Sequence, residues 1–115
     1  MNIQKELSKG SSSLLVLSVL GTGDMYGYQI IKEIEQRSEF VFSFKEGTLY
    51  PILHGFEQEG LVKSYWQDGE RGKRRKYYHI TDRGLKTLNK STEDWRSYST
   101  AVEKVIRSGF APSAV

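Results

Sequence analysis

The 115-residue sequence contains no cysteine. That excludes disulfide scaffolds, thiolate zinc fingers, iron–sulfur clusters and cysteine nucleophiles together. Histidine is nearly as scarce. His54 and His79 are the only two, and they fall on different segments with no paired ligand spacing, so no metal site is expected. No apolar run approaches the roughly 18 residues of a membrane span, so no membrane contact is expected. The start, Met1-Asn2-Ile3-Gln4-Lys5-Glu6, has no apolar signal core and no cleavage site, which predicts a cytoplasmic protein. Ser11-Ser12-Ser13 lacks both a nucleophile elbow and a base partner, and no glycine-rich loop follows a strand. Neither catalysis nor a cofactor is therefore expected.

Net charge is only +3, but its distribution is uneven. Residues 1–60 carry five Lys/Arg and eight Asp/Glu, residues 61–90 carry nine and three, and residues 91–115 carry three of each. One 30-residue segment thus holds all the net positive charge, which predicts a local anionic partner such as nucleic acid.

Hydrophobic patterning divides the chain into four helical segments and a hairpin. The run Leu14-Leu15-Val16-Leu17, continued by Val19-Leu20, reads as a buried helix from about Gln4, closed by Gly21-Thr22-Gly23. Asp24 is a plausible N-cap for a second helix to Ser38, with Gly27, Ile30, Ile31 and Ile34 on its inner face. Phe40, Phe42 and Phe44 alternate along an extended connector and are expected to plug the core. A third helix, about Glu46 to Gln58, buries Leu49, Ile52, Leu53 and Phe56. Pro51 leaves open whether it starts near Thr48 or tolerates the proline with a kink. Residues 61–67 and 76–80 are rich in β-formers, and the polar stretch 68–75 between them reads as the turn of a hairpin. Thr81 then caps a helix to about Ser108, roughly 40 Å long at 1.5 Å per residue. Leu85, Leu88, Thr92, Trp95, Ser99, Val102 and Ile106 step along it by three and four, a heptad seam that needs a second surface. A second copy of the chain is the simplest one.

Three helices followed by a two-stranded hairpin with a basic tip is the order of a winged helix-turn-helix. The expected fold is mostly α with a small β-hairpin. Residues 1–81 form the nucleic-acid-binding domain, 82–108 a dimerisation helix and 109–115 a loose tail. The third helix anchors its inner face in the core and offers Tyr50 and His54, one turn apart, to a major groove. Lys45 and Thr48 stand at its start, where backbone N–H groups favour phosphate. Arg71-Gly72-Lys73-Arg74-Arg75-Lys76 places five cations within six residues at the hairpin tip. A basic loop alone is usually only solvated. Its conjunction with an amphipathic third helix is what favours double-stranded DNA. Contact with RNA or protein, or a dimer that merely sequesters a ligand, are the alternatives.

Several stretches resemble one family closely: Tyr26-Gly27-Tyr28-Gln29-Ile30-Ile31, Lys45-Glu46-Gly47-Thr48-Leu49-Tyr50-Pro51, Glu59-Gly60-Leu61-Val62, Arg74-Arg75-Lys76-Tyr77-Tyr78 and Ile80-Thr81-Asp82-Arg83-Gly84. Along almost its whole length the chain is similar to the PadR transcriptional regulators, in particular their short branch with one C-terminal helix. The resemblance implies a homodimeric repressor released by a small molecule. By position, it places Thr48, Tyr50 and Pro51 on the recognition helix and Lys73, Arg74 and Arg75 on the wing. Two departures stand out. Arg71-Gly72 replaces a Gly-Gly pair, and Gly55 stands where the family often has a basic residue. In some short-branch members an apolar cavity at the dimer interface takes flat aromatic or drug-like ligands, and Trp95 matches a residue that lines it. Two such rings would stack on a planar ligand, with Tyr98, Leu14 and Leu15 lining the same space. That Trp95 only fills the interface beside Leu85, Leu88, Val102 and Ile106 is the alternative.

Overall fold

A computed structural model describes residues 2–109. In chain order it contains α1 (Ile3–Leu20), β1 (Met25–Tyr26), α2 (Gly27–Arg37), α3 (Glu46–Gln58), β2 (Val62–Asp68), a 3-10 turn at Glu70–Gly72, β3 (Arg74–Ile80) and α4 (Asp82–Gly109). The chain is mostly helical, with one small antiparallel sheet ordered β1-β3-β2. The tail expected at 109–115 lies, from residue 110 onward, outside the described residues, and Gly109 itself closes α4.

The core forms where the apolar faces of the first three helices meet the base of the hairpin. Val16 and Leu20 of α1, Ile30 of α2, and Leu49 and Leu53 of α3 are essentially inaccessible. Burying a side chain of this size is worth roughly 1.5–3 kcal/mol. The inner face expected for α2 is fully buried, from Gly27 through Ile30 and Ile31 to Ile34.

The start of α2 differs from expectation. Asp24 does not cap it, because Met25 and Tyr26 are drawn into the sheet opposite Tyr78 and Tyr77 of β3. The helix begins only at Gly27, and Tyr26 serves as its N-cap residue, its backbone N–H donating to Gln29 Oε1 at 3.1 Å. The phenylalanine connector differs too. Phe44 is buried and Phe42 packs against the core, but Phe40 is 73% exposed. The chain there is not extended: Glu39 and Phe40 take left-handed φ values of 52° and 66°, and Phe40 N–H donates to the Glu35 carbonyl at 2.7 Å. Two such residues in succession break the alternation that would have turned Phe40 inward.

Helix α3 starts at Glu46 and runs through Pro51 without interruption. The proline leaves the Gly47 carbonyl without its helical donor, a loss that an exposed position tolerates. After α3, Gly60 takes a φ of 74° and lets Leu61 N–H close on the Phe56 carbonyl at 2.9 Å. The hairpin pairs Val62 with Ile80 at its base and Asp68 with Arg74 at its end. Strand β3 therefore begins two residues earlier than the β-former pattern indicated. Thr81 caps α4 as expected, its hydroxyl accepting from Gly84 N–H at 3.0 Å and donating to the Gly60 carbonyl at 2.7 Å.

Helix α4 overhangs the rest. The Cα radius of gyration is 17.3 Å, against about 13 Å for a compact chain of this length. Every described residue from Thr100 to Ser108 is exposed, including Val102, Val105 and Ile106.

At the root of α4, Gly84 lies so close to the Leu61 carbonyl that a Cβ there would overlap it and also strike Ile80. Gly84→Ala gains about 1 kcal/mol of helix propensity, but the overlap with fixed backbone costs more. The expected outcome is a net loss of roughly 1–3 kcal/mol in urea denaturation.

Candidate nucleic-acid interface

The strip Asp24–Gly27 between α1 and α2 touches every element of the candidate interface. Gly27 faces α3: a Cβ on it would lie 2.5 Å from Tyr50 Oη. The absent side chain is what lets the Tyr50 ring lie against the start of α2, and this explains a glycine at the head of an amphipathic helix. Tyr26 and Met25 pair with β3. Asp24 reaches the outer face of the hairpin, where one carboxylate oxygen accepts from the Tyr65 hydroxyl at 2.7 Å and the other meets His79 Nδ1 at 2.8 Å. Partial burial opposes ionisation of Asp24, but the bonds from Tyr65 and His79 outweigh it and hold the carboxyl below its ordinary value. The same Asp24 bond pushes the Tyr65 hydroxyl above its ordinary value.

Along the hairpin, alternate residues take opposite faces. Arg75, Tyr77 and His79 share the outer face with Tyr65 and Tyr26. The rings of Tyr65 and Tyr77 stack at 5.7 Å, and Tyr26 meets Tyr77 edge-on at 5.5 Å. Arg75 folds back onto this row, 4.4 Å over the Tyr26 ring, and donates to the Tyr26 hydroxyl at 2.9 Å. The opposite face carries Arg74 and Lys76. Arg74 lies 5.4 Å over the Trp66 ring and 3.8 Å from Asp68. Lys76 pairs at 3.6 Å with Glu57 of α3, which also accepts from the Ser64 hydroxyl at 2.8 Å. The hairpin is thus tied directly to α3.

The six-residue cationic run therefore does not act as one patch. Arg74 and Arg75 lie in β3 rather than in the loop and point to opposite faces. Arg71, with a left-handed φ of 62°, and Lys73 flank the glycine at the exposed tip. The tip position expected for Arg71 holds, whereas the exposed Trp66 beside Arg74 and the opposite facing of Arg74 and Arg75 were not read from the sequence. Strand alternation extended to residue 74 would have found both.

On α3, Lys45, Thr48, Tyr50, Pro51 and His54 are all exposed. The Lys45 carbonyl accepts from both Thr48 and Leu49 N–H at 3.0 Å, which sets the first turn. His54 Nε2 lies 3.3 Å from Gln58 Nε2, one turn on. Pro51 stands about a quarter turn from Tyr50 and lines, with Gly55, a groove of about 410 Å³ against α1 and α4. The departure at Gly55 is therefore on the groove side of α3, where a Cβ would meet nothing within 4 Å.

The residues expected to meet a ligand also converge. Trp95, Tyr98 and Leu14 line a groove of about 600 Å³ between α1 and α4, and Trp95, Leu14 and Leu15 line an adjoining one of about 260 Å³ with Phe42. Trp95 is 49% exposed between them. On the expected seam, Leu85, Val102 and Ile106 are exposed, whereas Leu88 turns inward against Gly21 and the core. Among the described residues, no group of His, Cys, Asp and Glu is placed to hold a metal ion, and no helix is long and apolar enough to cross a membrane.

Residues 16–90 match the Transcriptional regulator PadR-like family. The chain belongs to this family. A transcriptional regulator from Clostridium thermocellum shares 36% identity, covering 86% of this chain and 96% of its own, with a TM-score of 0.78. A PadR family transcriptional regulator from Eggerthella lenta is 35% identical over 88% of this chain and 86% of its own, with a TM-score of 0.77. Transcriptional regulator Rv3488 of Mycobacterium tuberculosis is 26% identical over 102 residues, 89% of each chain. DNA-binding transcriptional regulation is therefore the functional class of this PadR-family chain. In the winged-helix fold of this family, β2–β3 is the wing.

The fit of Tyr50 against Gly27 is open to a double-mutant test. Gly27→Ala pushes only on the far end of the exposed Tyr50 side chain and is expected to destabilise the protein by no more than about 1 kcal/mol in urea denaturation. Adding Tyr50→Phe, which removes the clashing hydroxyl, is expected to restore at least half of that loss.

Proposed function

We propose that this PadR-family chain is a repressor that binds a two-fold operator as a homodimer and is released by a small planar aromatic ligand. Residues 1–81 serve as the DNA-binding unit and 82–108 as the dimerisation helix. The observation that carries the reading is the joint anchoring of α3 and the wing through Glu57, which presents an exposed helix face and a cationic hairpin as one body. In this reading Tyr50 and His54 meet base edges, and Lys45 and Thr48 meet a phosphate at the start of α3. Lys73 and Arg74 hold flanking phosphates, joined by Arg71 at the tip. Arg75 acts from within the sheet, through Tyr26. The exposed stripe Leu85, Trp95, Val102 and Ile106 supports a second copy resting on α4. In a two-fold pair the Trp95 side chains of both copies flank one space, with Tyr98, Leu14 and Leu15 at its walls. A planar ring stacked there would alter the separation of the two recognition helices, and half-sites about one helical turn apart would then bind less well.

A footprint on the DNA upstream of the gene, over a salt series, tests this reading. A protected two-fold site with a steep salt slope is expected. Lys73→Ala and Arg74→Ala should each weaken binding to all DNA and flatten the slope by about one unit, while Arg75→Ala changes it less. Equal slopes for all three variants would refute the assignment of the wing cations.

Trp95→Ala is expected to abolish calorimetrically detected binding of a planar aromatic dye while leaving sedimentation unchanged. A variant that sediments as a monomer would show instead that Trp95 serves packing alone.

A further inference from the structure

We propose that Asp24 is a positioning residue: it fixes the wing against the recognition helix and so sets which phosphates the wing reaches. The inference rests on the reading above that the wing contacts DNA. It begins from how little holds the hairpin beyond its base, where Val62, Tyr78 and Ile80 are buried in the core. Strand β3 has seven residues, but its inner neighbour β1 has two, so backbone pairing secures only the Tyr77–Tyr78 stretch. On the face toward the core, Glu57 ties Ser64 and Lys76 to α3. On the outer face, Asp24 is the residue that holds both long strands at once, with Tyr65 of β2 on one oxygen and His79 of β3 on the other.

The geometry suits a carboxylate. Each oxygen engages a different strand, and bonds to an ionised acceptor are about twice as strong as neutral ones. An asparagine offers one acceptor oxygen and must meet the second partner with a neutral N–H, which forces His79 into its other tautomer or reverses the bond to Tyr65. The location supports the same role. Asp24 is three residues before Gly27, the seat of Tyr50, so the wing and α3 are both indexed to one short strip. Asp24 is too far down the hairpin to touch what the tip touches. It acts through the direction in which Arg74, Lys73 and Arg71 project.

The test compares Asp24→Ala, Asp24→Asn and His79→Arg in the full chain. His79→Arg keeps a nitrogen donor opposite Asp24. Two readouts are taken: amide exchange with deuterium, and a footprint on the wild-type operator. In Asp24→Ala, amides of residues 62–68 and 74–80 are expected to exchange roughly tenfold faster, with those of α1 and α2 unchanged. Operator affinity should fall roughly tenfold, with protection lost at the flanks and kept at the centre. Asp24→Asn should fall between Asp24→Ala and wild type, and His79→Arg should match wild type in both readouts. Unchanged hairpin exchange in Asp24→Ala overturns the proposal. So does weakening that is uniform across centre and flanks, which marks loss of general stability. If the wild-type protein protects no duplex DNA while Asp24→Ala still loosens the hairpin, the tie stands and the DNA-binding reading fails.

Discussion

The whole arrangement depends on the close approach of Tyr50 to Gly27. A tyrosine on the exposed side of α3 closes over the first residue of α2, and it does so because that residue has no side chain. The approach lays the Tyr50 ring along the start of α2, above the core in which Ile30, Leu49 and Leu53 pack. Residues immediately before Gly27 belong to β1, so the same strip fixes β3, and through β3 the whole hairpin. Two elements that never touch along most of their length are thereby referred to one point. The hydrophobic core beneath supplies stability, yet apolar packing is non-directional. Orientation comes from these few polar and steric contacts at the surface.

Charge follows a similar logic of placement over quantity. The segment with the entire net positive charge contains cations of two kinds. Some are spent on the protein itself: Arg75 on Tyr26, Lys76 on Glu57. Others, Arg71 and Lys73, stand exposed at the tip. Arg74 is intermediate, spread over the exposed Trp66 ring with a distant aspartate beside it. A guanidinium over an aromatic face keeps its charge and loses conformational freedom. Such a side chain is partly ordered before any partner arrives.

Most of the fold was legible because its elements obey strong local rules. The α2 and α3 faces follow 3.6-residue periodicity, and Thr81 caps α4 through a bond that its sequence position already suggests. What was not legible depended on contacts distant in sequence. Asp24 looks like a helix cap, and nothing local reveals that Tyr65, 41 residues on, and His79, 55 residues on, claim its carboxylate instead. A two-residue strand such as β1 leaves no periodic trace. Phe40 fits an alternating pattern, but two left-handed residues turn it out. Within the candidate site, the residue types were legible and their directions were not. Arg74 and Arg75 are adjacent and chemically identical, and a strand sends them to opposite faces.

The contact of Gly84 with the Leu61 carbonyl has a mechanical consequence. Beyond that point α4 continues for 25 residues, a rigid arm of about 37 Å. A tilt of about 5° at the root displaces its far end by about 3 Å, roughly half the pitch of a helical turn. Because the root presses on the backbone just behind the end of α3, the gearing also runs in reverse. A displacement of several ångströms at the distal end corresponds to only a few degrees of rotation at the root, where Gly84 abuts fixed backbone.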